Sequence, residues 1–227
     1  MKRIFVILLV TLLAFAMVEA LAETKIAVTG EGQTLVSADT AVINLGVSAQ
    51  DKDVLEAQKS VNETIAAIRK ALIEMGVDES CINTDYMNIY AVYDYSGEME
   101  RLTAYNANST LAIKTTDMDK VGEIIDVSFA AGANTLNGIS FSASDITDAK
   151  ADALRMAVAD AKAKGEILAE ADDVTITGTD LITEGGVYSY ENSVGNFAAS
   201  KSAEGGTVVQ AAKIVVSASV TVTYEAE

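Results

Sequence analysis

The sequence predicts an α+β fold in which three helices pack on a mixed or antiparallel sheet, with elements in the order ββαββαβαββ. Three observations carry that expectation. Residues 40–49 and 213–224 alternate apolar and polar side chains with period two, as half-buried strands do. Val54, Val61, Ile65, Ile68, Leu72 and Met75 recur at helical spacing along one stripe. The helical segments are separated by strands, in part joined as hairpins, so the helices should gather on a sheet face.

The chain opens with Met1, Lys2 and Arg3, then a run of 15 uncharged residues over 4–18, then Glu19 and Ala20-Leu21-Ala22. A basic start, an apolar middle and a small-x-small end are the three parts of a secretory signal. The run falls short of the about 20 residues that a membrane-spanning helix needs. No cysteine directly follows it for lipid attachment. The expectation is a signal peptide over 1–22, cleavage after Ala22 and one mature domain over 23–227, with no stable membrane span once the leader is removed.

Residues 25–36 read as a strand interrupted near Gly30-Glu31-Gly32, where glycine signals a bulge or a close backbone approach. A phosphate loop would need a helix next; Ser37-Ala38-Asp39 instead turn into the second strand. Asp51 and Asp53 suit a helix N-terminus. Glu56 stands where a calcium loop requires glycine, which excludes an EF-hand. The first helix ends at Gly76, and its stripe fits either the domain's own sheet or a second copy. Residues 84–95 and 102–115 form a hairpin around Ser96-Gly97-Glu98. Tyr86, Tyr90, Tyr93 and Tyr95 either cover one side of the sheet or offer a ligand-stacking face. Residues 117–131 make a second helix ended by Gly132, and 135–143 a strand. Ser144-Asp145 cap a third helix reaching Glu170, with Ala149, Ala153, Ala157, Ala161 and Leu168 along one side. Residues 174–183 form a strand. Residues 185–206 read as a long loop, with five glycines and with Tyr188, Tyr190 and Phe197 as apolar anchors. The last strand follows at 213–224.

The formal charge is −17, and −18 once Lys2, Arg3 and Glu19 leave with the leader. Nucleic acid and anionic lipid both require Lys or Arg against phosphate; no basic cluster offers it, so no nucleic-acid partner is expected. Histidine is absent, which removes Ser-His and Cys-His nucleophiles and histidine zinc sites. Cys81 is the single cysteine, so an intrachain disulfide is impossible. It reads as a small buried hydrophobe, or else as an intermolecular bridge or oxidant-sensing thiol. A carboxylate pair could hydrolyse glycosides without histidine, but the chain has no tryptophan for the aromatic cleft such a site needs. Ser200 and Lys201 are adjacent, a geometry that disfavours Ser-Lys chemistry. Asp117/Asp119, Asp148/Asp152 and Asp172/Asp173 read as solvated helix faces or caps, with a cation site as the alternative. No residue is assigned as catalytic, cofactor-binding or metal-binding, and no cofactor is implied. The chain is read as non-enzymatic.

One set of segments, in order, has a wider parallel. They are Val28-Thr29-Gly30-Glu31-Gly32, Ala41 to Val47, Met75-Gly76-Val77, Ile82-Asn83-Thr84, Gly132-Ala133-Asn134 with Gly138-Ile139-Ser140-Phe141, Ala157 to Lys164, and Val216 to Val222. Together they resemble the SIMPL-domain family of bacterial exported proteins, over residues 25–227. The chain departs from that pattern at Ala104-Tyr105, where members often carry Gly-Tyr, and at Val209-Gln210-Ala211-Ala212, where a proline usually precedes the last strand. It also has Lys164-Gly165-Glu166 where members often carry Lys-Ala-Glu. The resemblance implies an exported α+β protein: periplasmic, cell-surface or secreted. It implies a link to envelope or oxidative stress in some members, ring-like assembly in at least one, and no established catalytic residues. The expected function is therefore that of a non-enzymatic envelope-associated protein acting by self-assembly, as a homo-oligomer, or by binding an envelope protein. The alternative is a monomeric ligand- or cation-binding module of the periplasm or cell surface.

Overall fold

The computed structural model describes residues 24–97, 99–191, 200–201, 206–211 and 213–227. The expected leader lies outside them, as does Phe197. In chain order the elements are β1 (Thr24–Ser37), β2 (Thr40–Asp51), α1 (Val54–Glu74), β3 (Ile82–Asp94), β4 (Arg101–Thr115), α2 (Val121–Ala130) and β5 (Thr135–Ser142). There follow α3 (Thr147–Ala171), β6 (Ile176–Glu191), β7 (Ser200–Lys201), β8 (Thr207–Val208) and β9 (Lys213–Ala226). The α+β class is as expected. The strands divide between a four-stranded sheet, order β3-β4-β2-β5, a three-stranded sheet, order β1-β9-β6, and a β7-β8 ladder. The described chain makes two compact units. The larger holds residues Gln33–Ala151 and Tyr188–Ser217; the smaller holds 24–32, Asp152–Val187 and Ala218–Glu227.

In the larger unit, the alternation along β2 sends Ile43 and Leu45 to one face, directly opposite Ile113 and Leu111 of β4. Val61, Ile68 and Leu72 of α1 and Val121, Ile124 and Ile125 of α2 close over that face. Each large aliphatic chain buried here is worth about 1.5–3 kcal/mol in transfer from water. The α1 stripe is thereby taken up by this unit's own sheet. The pairings β2–β4, β2–β5 and β3–β4 are all antiparallel. With the order β-α-β-β-α-β, this is the ferredoxin-like split arrangement.

Local chemistry sets the helix ends. Asp53 caps α1 by accepting from the Leu55 N–H at 2.8 Å. At its other end the Val77 N–H donates to the Leu72 carbonyl at 3.0 Å and the Gly76 N–H to Ile73 at 2.9 Å. This closure needs the left-handed φ of +98° that Gly76 supplies. α2 ends the same way: Ala133 N–H donates to Ser128 O at 3.0 Å, with Gly132 at φ +109°. Asp39, between β1 and β2, accepts from the Ser144 hydroxyl at 2.6 Å, the Ser144 N–H at 2.9 Å and the Thr40 hydroxyl at 2.9 Å. These bonds, the Ser144 hydroxyl first, hold its carboxyl below the usual aspartate value.

The smaller unit is built on close approach. Ala153, Ala157, Ala161, Gly165 and Ala169 form the buried side of α3. A Cβ on Gly30 would lie 2.0 Å from the Ala157 carbonyl oxygen, and one on Gly32 would lie 2.1 Å from that of Ala153. The helix backbone therefore rests directly on the strand. The expected interruption of this strand at Gly30-Glu31-Gly32 does not occur: β1 is continuous, and its glycines make room for α3. Asp160 accepts from the Glu31 N–H at 2.8 Å, and Lys164 donates to the Thr29 carbonyl at 3.0 Å. Leu168, expected on the packed side, is 48% exposed, because the buried residues recur every four positions and reach Gly165 and Ala169 instead. Gly165 sits under Tyr224, whose ring would be 2.7 Å from an added Cβ.

The segment 185–206 also differs from expectation. β6 continues through Glu191 instead of ending near Thr183. Gly185 permits this, since its Cβ position lies only 3.1 Å from the Ser219 hydroxyl on β9. Further on, Ser200 pairs with Val208 and Lys201 with Thr207.

Candidate functional site

Three features of the larger unit carry exposed chemistry. The first is a cleft of about 370 Å³ at the closed end of α1. Met75, Val77 and Ile124 supply its apolar lining, and Cys81, Lys114 and Lys120 its reactive or charged groups. The Schellman closure of α1 turns the chain into it, and Asp78 then caps the single turn Glu79–Cys81 that carries the cysteine. The Cys81 thiol is free and only half-buried, less enclosed than the small buried hydrophobe expected from the sequence. Asp78 accepts from the Ser80 hydroxyl and N–H, which lowers its carboxyl below the usual range. Asp117 pairs with Lys120 at 3.6 Å. Lys114 has no hydrogen-bond or ion-pair partner among the described residues, which leaves one uncommitted cation at the rim.

The second feature is the β3–β4 hairpin. Tyr86 stands opposite Thr110 and Tyr90 opposite Asn106. Those β4 positions alternate with Ala107 and Leu111, which face the helices, so both tyrosines project from the helix-free face. Tyr86, Tyr90, Tyr93 and Tyr95 are 54%, 49%, 41% and 71% exposed, and Met87, Met99 and Leu102 are exposed with them. The Tyr93 and Tyr95 rings are tilted against each other at 6.4 Å, and the Tyr95 hydroxyl donates to Glu100 at 3.2 Å. The tyrosines lie along the face of their own sheet and remain in large part open to solvent.

The third feature, which the sequence reading missed, is a set of amides beside those tyrosines. Asn106 Oδ1 accepts from Asn108 at 2.6 Å and from the Ser48 hydroxyl at 3.3 Å, and Asn137 donates to Thr110 at 2.9 Å. The signal was present as asparagines two apart in an alternating strand, which places both on one face. Asn106 and Asn108 are thus bonded to each other, and Asn137 to Thr110, which together give a polar surface.

The acidic pairs do not converge. Asp152 binds Arg155 at 2.6 Å, and Asp172 and Asp173 follow the end of α3. Among the described residues no group of three or more Cys, Asp or Glu is placed to hold a metal ion. The side chains of Ser200 and Lys201 lie outside what is described. No described helix is long and apolar enough to cross a membrane.

Comparison with known proteins gives this architecture a family. The family SIMPL, described as protein of unknown function (DUF541), matches residues 26–224. The chain belongs to the SIMPL family. The 26 kDa periplasmic immunogenic protein of Brucella melitensis is 32% identical over 158 residues, which is 66% of this chain and 62% of that protein. The protein of the same name from Brucella abortus is also 32% identical over 158 residues. The uncharacterized protein YggE of Edwardsiella ictaluri is 25% identical over 162 residues, 70% of this chain and 64% of that one. The matches thus span less than two thirds of these relatives' lengths. The segments that carry the resemblance to SIMPL proteins fall mainly on structural joints. Gly30 lies against Ala157 and Ala161 and Gly32 against Ala153 and Ala157, Gly76 and Gly132 close the helices, and Ala41 to Val47 form the core strand. Of these segments, Met75-Gly76-Val77 lines the cleft.

Proposed function

We propose that this SIMPL protein is exported to the cell envelope and works there through protein contact, by self-assembly or by binding a partner, without turning over a substrate. The observation that carries the reading is the exposed tyrosine- and methionine-bearing hairpin of β3 and β4. Such side chains are enriched at interfaces, and a cluster of them in solvent is unusual on a chain with no partner. The periplasmic naming of the Brucella relatives and the signal-like residues 1–22 support export, with a mature chain of 23–227. Light scattering on the protein lacking residues 1–22 tests the contact reading: a mass of two or more chains, or capture of an envelope protein, is expected. A strict monomer at high concentration that captures nothing overturns it. The intact mass of protein from the periplasmic fraction tests the leader, because material retaining residues 1–22 would contradict export by cleavage.

The α1-end cleft favours a second reading, in which the protein is a binding module for a small anionic ligand held by Lys114. A ligand that binds only the folded chain raises its melting temperature by mass action. Lys114→Ala should abolish that rise, and an unchanged rise would dismiss Lys114 as the anchor.

A further inference from the structure

β3 is an edge strand of the four-stranded sheet, and edges of this kind template pairing with other chains unless they are blunted. The other edge, β5, is short and broken. It has eight residues, Gly138 at φ +146° and a register shift where it meets β2 between Asn44 and Leu45. β3 has 13 residues, and its register shifts against β4 fall only at Thr84/Tyr86 and Val92/Tyr93. Between them, residues 86–92 pair with β4 without a break. This window contains no charge, no proline and no glycine, so the usual devices that protect an edge are absent from it. On a chain of charge −17, two copies meet at least cost where charge is missing.

We propose that β3 pairs with β3 of a second copy, antiparallel about a two-fold axis at Asn88, joining two four-stranded sheets into one of eight strands. The pattern is self-complementary in that register. Tyr86 of each copy lies opposite Tyr90 of the other, aromatic against aromatic on the helix-free face. Met87, 45% exposed, lies opposite Ile89, which already packs against the core. Asp85 meets Ala91 and Asp94 meets Ile82, so no two acids oppose each other. A two-fold contact presents the same patch on both copies, and this strand can serve as both.

The inference rests on the self-assembly reading and names its contact. The test uses the mature protein in a Cys81→Ser background. Asn88→Cys, at the axis, should form a disulfide-linked dimer under mild oxidation, whereas Asn62→Cys on the exposed side of α1 should not. Separately, Asn88→Lys with Tyr90→Lys should halve the mass seen by light scattering while leaving the circular dichroism spectrum unchanged. An assembly that keeps its mass in the lysine variant, with no Asn88→Cys cross-link, overturns the β3 contact and leaves self-assembly standing. A wild-type monomer overturns both. A cross-link from Asn88→Cys to a different protein overturns the pairing of like with like.

Discussion

Replacing Gly30 by alanine puts a methyl group 2.0 Å from the Ala157 carbonyl oxygen, 2.6 Å from the Ala161 nitrogen and 2.7 Å from the Ala161 Cβ. The shortest of these lies roughly 1.5 Å inside the separation at which such atoms attract. The atoms met are helix backbone and a methyl group, with no flexible side chain to swing aside, so α3 has to lift from β1. Lifting it exposes Ala153, Ala157 and Ala161, all fully buried. Overpacking of this kind costs about 1–3 kcal/mol. Against it stands a gain of roughly 0.5–1 kcal/mol from restricting the unfolded chain. The net loss of about 1–2 kcal/mol should lower the melting temperature by roughly 2–8 °C for a chain of this size. Gly178→Ala is the matched control in the same sheet, since its Cβ would meet only Glu225 Oε2 at 3.4 Å, a side-chain end that can move. Denaturation followed by circular dichroism should rank Gly30→Ala below wild type and Gly178→Ala at or above it. If Gly30→Ala is as stable as wild type, the account of β1 and α3 in direct backbone contact is wrong.

Other perturbations probe the larger unit. Asp53→Ala removes the α1 cap and should cost about 1 kcal/mol in urea unfolding with the m-value unchanged. Leu72→Ala, at a fully buried position, should cost about 2–5 kcal/mol; a loss under 1 kcal/mol would mean that α1 is not seated as described. Asp39 has a folded-state pKa below its unfolded value, so its contribution is present above the unfolded value of about 3.9 and fades as pH falls through the folded one. The urea midpoint of wild type should therefore fall more steeply between pH 5 and pH 2 than that of Asp39→Asn, and parallel profiles would refute a role for the Ser144 bonds.

The elements that the sequence made legible are those whose cause is local. The α1 stripe, the Asp53 cap, the glycines at 76 and 132 and the alternation of β2 and β9 all act within a few residues, and each stands in the structure. What escaped depends on residues far apart in the chain. Gly30 and Gly32 read as a break in β1 because nothing nearby shows that α3 will lie on them. The continuation of β6 past Gly185 depends on β9, and the docking of Thr207 on Asp126 of α2, at 2.9 Å from its N–H, joins positions 81 apart. Of the exposed features, the tyrosines were visible in the sequence. The cleft was not, because it forms only when the end of β4 meets the closure of α1.

The three-stranded sheet has an order of assembly built into it. β9, emerging after every other element, is the strand between β1 and β6, and Thr29 and Thr221, whose hydroxyls lie 3.4 Å apart, are 192 residues apart in sequence. As the chain is synthesised, the four strands of the other sheet are all present once Ser142 has emerged, while β1 and β6 wait without their shared neighbour. Pairings so distant in sequence form slowly. A nascent chain therefore carries two unpaired strands until β9 is made, and any holding factor that meets it before then meets those strands.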